Sequence, residues 1–326
     1  MSTWRAPCRP GALLKIAARN GVSLPASTEA ELARLYQFRD FEHFLELWLM
    51  TTCALQKERD FRQVVVDYAT EAASHGAVYL EGIFTPGERV GGGASWDEVF
   101  TGFCDGAIEA KEKTGVDVRL TPDIPRNLGP EVAIMTARYA MKYRERGVVG
   151  LGLGGPEDSY PGAPFGPAFR LAKDGGLGSV PHAGEVTGAA SVREAIDVLQ
   201  ADRLRHGIRS ADDPGLLREL AARGIVCDVC PVSNVGTGAV GSLAEHPPPA
   251  MLQAGVECSI NTDDPAMFGT DLAHEYEVAA LLGCSPAAAF RAGISGALCD
   301  EGTRSRLQAI ADSTTWPAPA SSGGHG

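Results

Sequence analysis

The chain has 326 residues, of which 44% are hydrophobic and 21% charged, and it carries a formal net charge of -12. That length holds two domains or one large α/β barrel, with a sizeable core either way. The acidity argues against nucleic acid or an anionic membrane as partner, no apolar run approaches the roughly 20 residues of a spanning helix, and Met1–Gly11 has no apolar signal core. Eight cysteines in such a chain read as reduced thiols, and the expected location is cytoplasmic.

Helix-like and strand-like segments alternate along the chain. Apolar periodicity predicts helices over 12–20, 29–36, 41–55 and 61–74, the first stopped by Gly21 and the last by Gly76. A strand follows at 78–84, then a helix at 96–114 ending at Gly115, and a strand at 116–124. The helix–strand pairs continue as 131–146 with 148–153, 168–173 with 178–181, and 192–200 with 203–208. Two more pairs are 214–223 with 225–232 and 242–254 with 256–261, and helices at 275–282 and 286–298 finish the fold. Seven continuous apolar strands, each after a helix, predict a parallel sheet covered on both faces. The expected architecture is a (β/α)8 TIM barrel whose first strand is absent or degraded, with a doubly wound open sheet as the alternative. Polar residues ending at least five different strands favour the barrel. The expected division is a non-matching N-terminus at 1–8, one barrel domain at 9–312 and a disordered Pro/Ala/Ser/Gly-rich tail at 313–326.

Candidate chemistry lies at the strand ends. His182-Ala183-Gly184-Glu185 puts an imidazole and a carboxyl three residues apart, with a glycine that lets Glu185 turn into the same space. Asp263-Asp264-Pro265 ends the strand-like run before it, so one carboxylate can face a metal and the next a substrate; a turn or helix N-cap is the plainer reading of Asp-Pro. His206, before Gly207, has a barrel strand's setting, and its plainer reading is a surface histidine among arginines. Cys227 and Cys230 form a C-x-x-C without a second pair and without opening a helix, which argues against metal or redox use. Gly152-Leu153-Gly154-Gly155 matches no phosphate-binding fingerprint and is expected to let a flat ring approach the backbone. His43, His75, His246, His274 and His325 read as surface or packing residues.

Four ordered signatures resemble the adenosine deaminase family of amidohydrolase-type barrels: His182-Ala183-Gly184-Glu185, Arg205-His206-Gly207, Cys230-Pro231-Val232-Ser233-Asn234 and Ser259-Ile260-Asn261-Thr262-Asp263-Asp264-Pro265. The resemblance runs from about Arg9 to about Leu307. It implies hydrolytic deamination of a 6-aminopurine nucleoside, with one Zn2+ per chain held through His182 and Asp263. It further implies that Glu185 protonates the purine ring nitrogen, His206 takes the proton of the attacking water, Asp264 contacts that water and another ring nitrogen, and the Gly155 N–H contacts the purine. Aminodeoxyfutalosine and adenosine are the expected substrates, with free adenine third because its relatives favour Ser where Thr262 stands. The bacterial aminodeoxyfutalosine branch is suggested by Ile83–Arg89 and Arg119–Arg126, in which Arg89 and Arg126 are candidates to meet a substrate carboxylate.

The sequence departs from the family at its start. The family's first strand ends in a His-x-His pair that binds zinc, and Met1–Cys8 contains no histidine. Read one base earlier, a permitted codon choice for Met1–Cys8 encodes His-Val-His-Leu-Glu-Gly-Thr-Leu, so this segment is expected to be an out-of-frame trace of the motif. The alternative function is a pseudoenzyme, or a truncated product, that binds purine nucleosides without a complete metal site.

Overall fold

The computed structural model describes residues 2–5 and 9–317. Strand segments β1 (Ser2–Arg5), β2 (Tyr79–Phe84), β3 (Asp117–Pro125), β4 (Gly150–Gly154) and β5 (Gly178–Ser179) form one parallel arc. A second parallel arc holds β6 (His182–Ala183), β7 (Arg203–His206), β8 (Val226–Val229) and β9 (Cys258–Ile260). β5 and β6 are two halves of one stave, interrupted at Val180-Pro181. The Val180 N–H still donates to the Leu151 carbonyl, and the Pro181 carbonyl still accepts from the Arg205 N–H. Nine segments thus make eight staves, and with helices between them this is the (β/α)8 barrel. The first strand, expected to be absent or degraded, is present as four residues, with Ser2 opposite Leu80 and Arg5 opposite Ile83.

The helices follow their punctuation. Trp96–Thr114 starts on a Ser95–Glu98 capping box and ends on Gly115 with φ 77°, and Pro214–Arg223 is capped by Asp213 and ended by Gly224. Proline-started helices at Pro86–Gly91 and Pro231–Gly236, and the helix Glu301–Ser313, were not foreseen. The first two are six residues long, too short for a hydrophobic period to register. β7, β8 and β9 end earlier than expected, because His206 turns off β7 with a positive φ and Pro231 opens a helix soon after β8. Residues 318–326 of the expected tail, with His325, lie outside the described residues. Trp316 packs on Phe290 with ring centroids 5.3 Å apart.

Apolar side chains between strands and helices form the main core, from Leu13 and Ile16 through Phe61, Phe100 and Phe103 to Ile260. The barrel interior is ionic. Arg203 on β7 has no exposed surface, and it reaches Glu81 on β2 at 2.7 Å and Asp228 on β8 at 2.8 Å. Burial works against its charge, but Asp228 and Glu81 outweigh that and hold the guanidinium firmly protonated. Arg205 pairs with Asp123 on β3 and donates to the Thr121 hydroxyl at 2.6 Å. The arginines flanking His206 are therefore interior residues, and His206, 2% exposed, is buried with them. This corrects the surface reading of that segment: alternation on a strand cannot tell solvent from a polar barrel interior.

Among the described residues, no single helix is long and apolar enough to cross a membrane.

Candidate active site

All strands are parallel, so their C-terminal ends gather at one face. His182 belongs to β6, Glu185 follows it, His206 ends β7, and Asp263 and Asp264 follow β9. All five are buried. One ligand-type atom from each of Glu185, His206 and Asp263 lies within 4.8 Å of the other two. His182 is not in that trio but flanks it, its ring centroid 5.4 Å from that of His206. The structure thus brings His182, Glu185, His206 and Asp263 together at one end of the barrel.

Backbone strain marks the same place. Among the described residues, Gln200, His206 and Asp263 are the non-glycine residues with positive φ, at 52°, 61° and 53°. Such a conformation costs about 1–3 kcal/mol where a side chain is present, and it turns the two site residues sharply off their strands.

Supporting contacts fix each group. His182 Nδ1 lies 2.8 Å from the Leu153 carbonyl oxygen and 3.3 Å from Asp123 Oδ2. An Nδ1–H donated to Leu153 makes Nε2 the ring nitrogen that carries the lone pair. His206 Nε2 is 3.5 Å from Glu185 Oε2, and its Nδ1 is 3.0 Å from the Asn234 amide. The other end of that amide is 3.2 Å from His246 Nε2, so Asn234 links two buried imidazoles. Burial, then the charge His206 can carry, pushes His246 down to about 4, so it is neutral at physiological pH. The Ser233 hydroxyl donates to Asp263 Oδ2 at 2.7 Å. Asp264 stands at the N-cap position of Pro265–Phe268, yet its side chain does not cap that helix, so the plain capping role is absent.

The loop after β6 is held by a residue the sequence reading passed over. Glu157 accepts the backbone N–H groups of Gly184, Glu185, Val186 and Thr187. Arg126 donates to the carbonyls of His182 at 2.8 Å and Tyr160 at 2.7 Å. Arg126 is thus buried scaffolding, and Arg89 likewise donates to the Thr52 hydroxyl at 3.0 Å; neither is poised for a substrate carboxylate. His246, Asn234 and Ser233 were also missed as site partners. The Cys230-Pro231-Val232-Ser233-Asn234 signature already contained two of them.

The glycines divide their work. A Cβ on Gly152 would run into Asp123 and Arg205, so that glycine makes room for the buried ion pair rather than for a ring. Gly155, at φ 99°, borders a cavity of about 170 Å3 that is also lined by Trp48, Thr85, Glu88, Pro125 and Asn127. Cys230 does open a short helix, contrary to expectation, but burial pushes its thiol and that of Cys227 far up, which suppresses the reactive thiolate.

Glu185, His206 and Asp263 lie close enough at the mouth of the parallel barrel to hold a divalent cation, and His182 stands beside them. Fold and site together define an amidohydrolase-type deaminase, a class that is typically metal-dependent. The chain belongs to the adenosine deaminase family, whose sequence profile matches residues 5–311. It is 51% identical over 315 residues to an aminodeoxyfutalosine deaminase of Acidothermus cellulolyticus, covering 94% of this chain and 88% of that protein. It is 39% identical over 280 residues to an adenine deaminase of Rhizobium leguminosarum bv. trifolii, covering 84% and 86%. Among solved structures, adenine deaminase from Arthrobacter aurescens superposes with a TM-score of 0.89 at 28% identity, covering 95% of this chain and 98% of that one.

Proposed function

We propose that this protein hydrolytically deaminates a 6-aminopurine nucleoside, giving the 6-oxo purine and ammonia, with aminodeoxyfutalosine ahead of adenosine and free adenine. The observation that carries the reading is the convergence of Glu185, His206 and Asp263 beside His182 at the ends of three strands. His182 and Asp263 would hold the divalent cation, zinc by preference. When bound, the cation lowers the pKa of water toward neutrality and so supplies a nucleophile at physiological pH.

The remaining steps belong to the chain's own residues. Glu185, as the acid, donates a proton to the ring nitrogen beside the attacked carbon. His206 accepts the proton of the attacking water, its ring held by Asn234. Asp264 contacts the water and a second ring nitrogen, and the Gly155 N–H contacts the purine. Water adds to the carbon bearing the amino group, His206 passes the proton it took from that water to the amino nitrogen, the C–N bond breaks and ammonia leaves, and the remaining hydroxyl proton restores Glu185 as the 6-oxo group forms. The cavity beside Gly155 supports a nucleoside over the free base, because Leu45, Trp48, Leu49, Pro125 and Pro156 offer an apolar wall for a group beyond the purine. The 51% identity to an aminodeoxyfutalosine deaminase supports the order of substrates.

The second reading, a purine-nucleoside binder without turnover, is favoured by one observation: Met1–Cys8 contains no His-x-His pair. One experiment separates the two. The chain as it stands, and a version beginning His-Val-His-Leu-Glu-Gly before Arg9, are assayed for metal content and for ammonia release from adenine, adenosine and aminodeoxyfutalosine. About one zinc per chain with ammonia release supports the enzyme. A folded, metal-free chain that binds nucleoside without releasing ammonia sinks the enzyme reading and leaves the binder.

A further inference from the structure

We infer that Glu275, on the helix Leu272–Leu281, is a positioning residue that anchors the short helix carrying the contacts to Asp263 and His206. The inference rests on the deaminase reading above for the roles of those two residues. Its geometric basis is independent of that reading.

Glu275 has no exposed surface, and its Oε2 accepts the Val232 N–H at 3.3 Å. Val232 lies in the first turn of Pro231–Gly236, where backbone N–H groups have no helical partner of their own. One and two residues further on, the same six-residue helix supplies Ser233 to Asp263 and Asn234 to His206 and His246. A helix this short has too few internal hydrogen bonds to fix its own orientation. What holds its first turn therefore sets where Ser233 and Asn234 point. Burial pushes the Glu275 carboxyl up to about 8, and the like charges of Asp263 and Asp271 push the same way. At neutral pH the group is thus mostly the neutral acid. It can accept the Val232 N–H without adding a second negative charge behind Asp263.

The test compares E275A, E275Q, S233A and the double variant E275A/S233A in the full chain. Turnover of the best substrate is measured as kcat and KM, and Zn2+ affinity by calorimetry. E275A is expected to lower kcat at least tenfold with KM within threefold, and to weaken Zn2+ binding about tenfold, as lost supporting contacts do. E275Q keeps an uncharged acceptor of the same shape and should stay within threefold of the parent in both. In the double variant the losses in kcat should fall well short of the product of the single losses, because part of the E275A loss already runs through Ser233. If E275A does not fold, E275D withdraws the acceptor by one carbon and should show the same losses. Parent-like kcat and Zn2+ affinity in E275A or E275D, or losses in the double variant that multiply, overturn the inference. A parent chain that turns over no purine overturns the proposed function instead, and the Zn2+ affinities then decide the role of Glu275 alone.

Discussion

At the scale of single residues, the proposed roles pair a group that would react with a neighbour that holds it. Glu185→Gln removes the acid while keeping the shape. We expect kcat to fall about 100-fold or more, the usual worth of a positioned acid, with nucleoside Kd little changed by calorimetry. Asn234→Ala removes the amide that joins His206 Nδ1 to His246 Nε2. It should cost about tenfold in kcat while Tm moves only a few degrees, read by steady-state kinetics beside a thermal melt.

At the scale of elements, the loop from Gly184 to Thr187 depends on the Glu157 carboxylate. Burial acts to raise that carboxyl, but hydrogen bonds from Ser191 and the Gly184 N–H, with the Arg126 charge, outweigh it and hold it below its ordinary value of 4.5. A depressed carboxylate contributes stability that is full above the unfolded pKa and is lost as pH falls through the folded one. The parent chain should therefore lose Tm below about pH 4.5, and Glu157→Gln should flatten that part of the Tm–pH curve. A slope unchanged by the substitution would sink the assignment. Strand β4 makes a separate demand. Gly152→Ala places a methyl against Asp123 and Arg205 and should destabilise the chain by about 1–3 kcal/mol in urea unfolding, as overpacking does.

For the whole molecule, the interior ion network and the mouth of the barrel do different jobs. Arg203→Met strands Glu81 and Asp228 without their cation, and losing one partner of a buried pair costs about 3–5 kcal/mol. That loss should appear in unfolding midpoints with the purine site still formed wherever the chain remains folded. Metal binding acts at the other end of the scale: zinc at 100 times its Kd should stabilise the native chain by about 2.7 kcal/mol, and a chelator should reverse the gain in Tm along with any ammonia release.

Much of this was legible in the chain itself. Helix stops such as Gly115 and Gly224 and the alternation of apolar runs specify the barrel, because punctuation and periodicity are local physics. The strand-end placement of His182, Glu185, His206, Asp263 and Asp264 follows from the same parallel order. Tertiary structure alone decided what surrounds them. That Arg203 and Arg205 point into the barrel, that Gly152 yields its space to Asp123, and that Glu157 and Arg126 hold the β6 loop are contacts between residues from 27 to 122 positions apart. No local propensity carries such information, because each contact exists only once the staves have closed in register. Ser2–Arg5 falls on the same side: no periodicity marks four residues as a strand, and they become one only by pairing in register with β2.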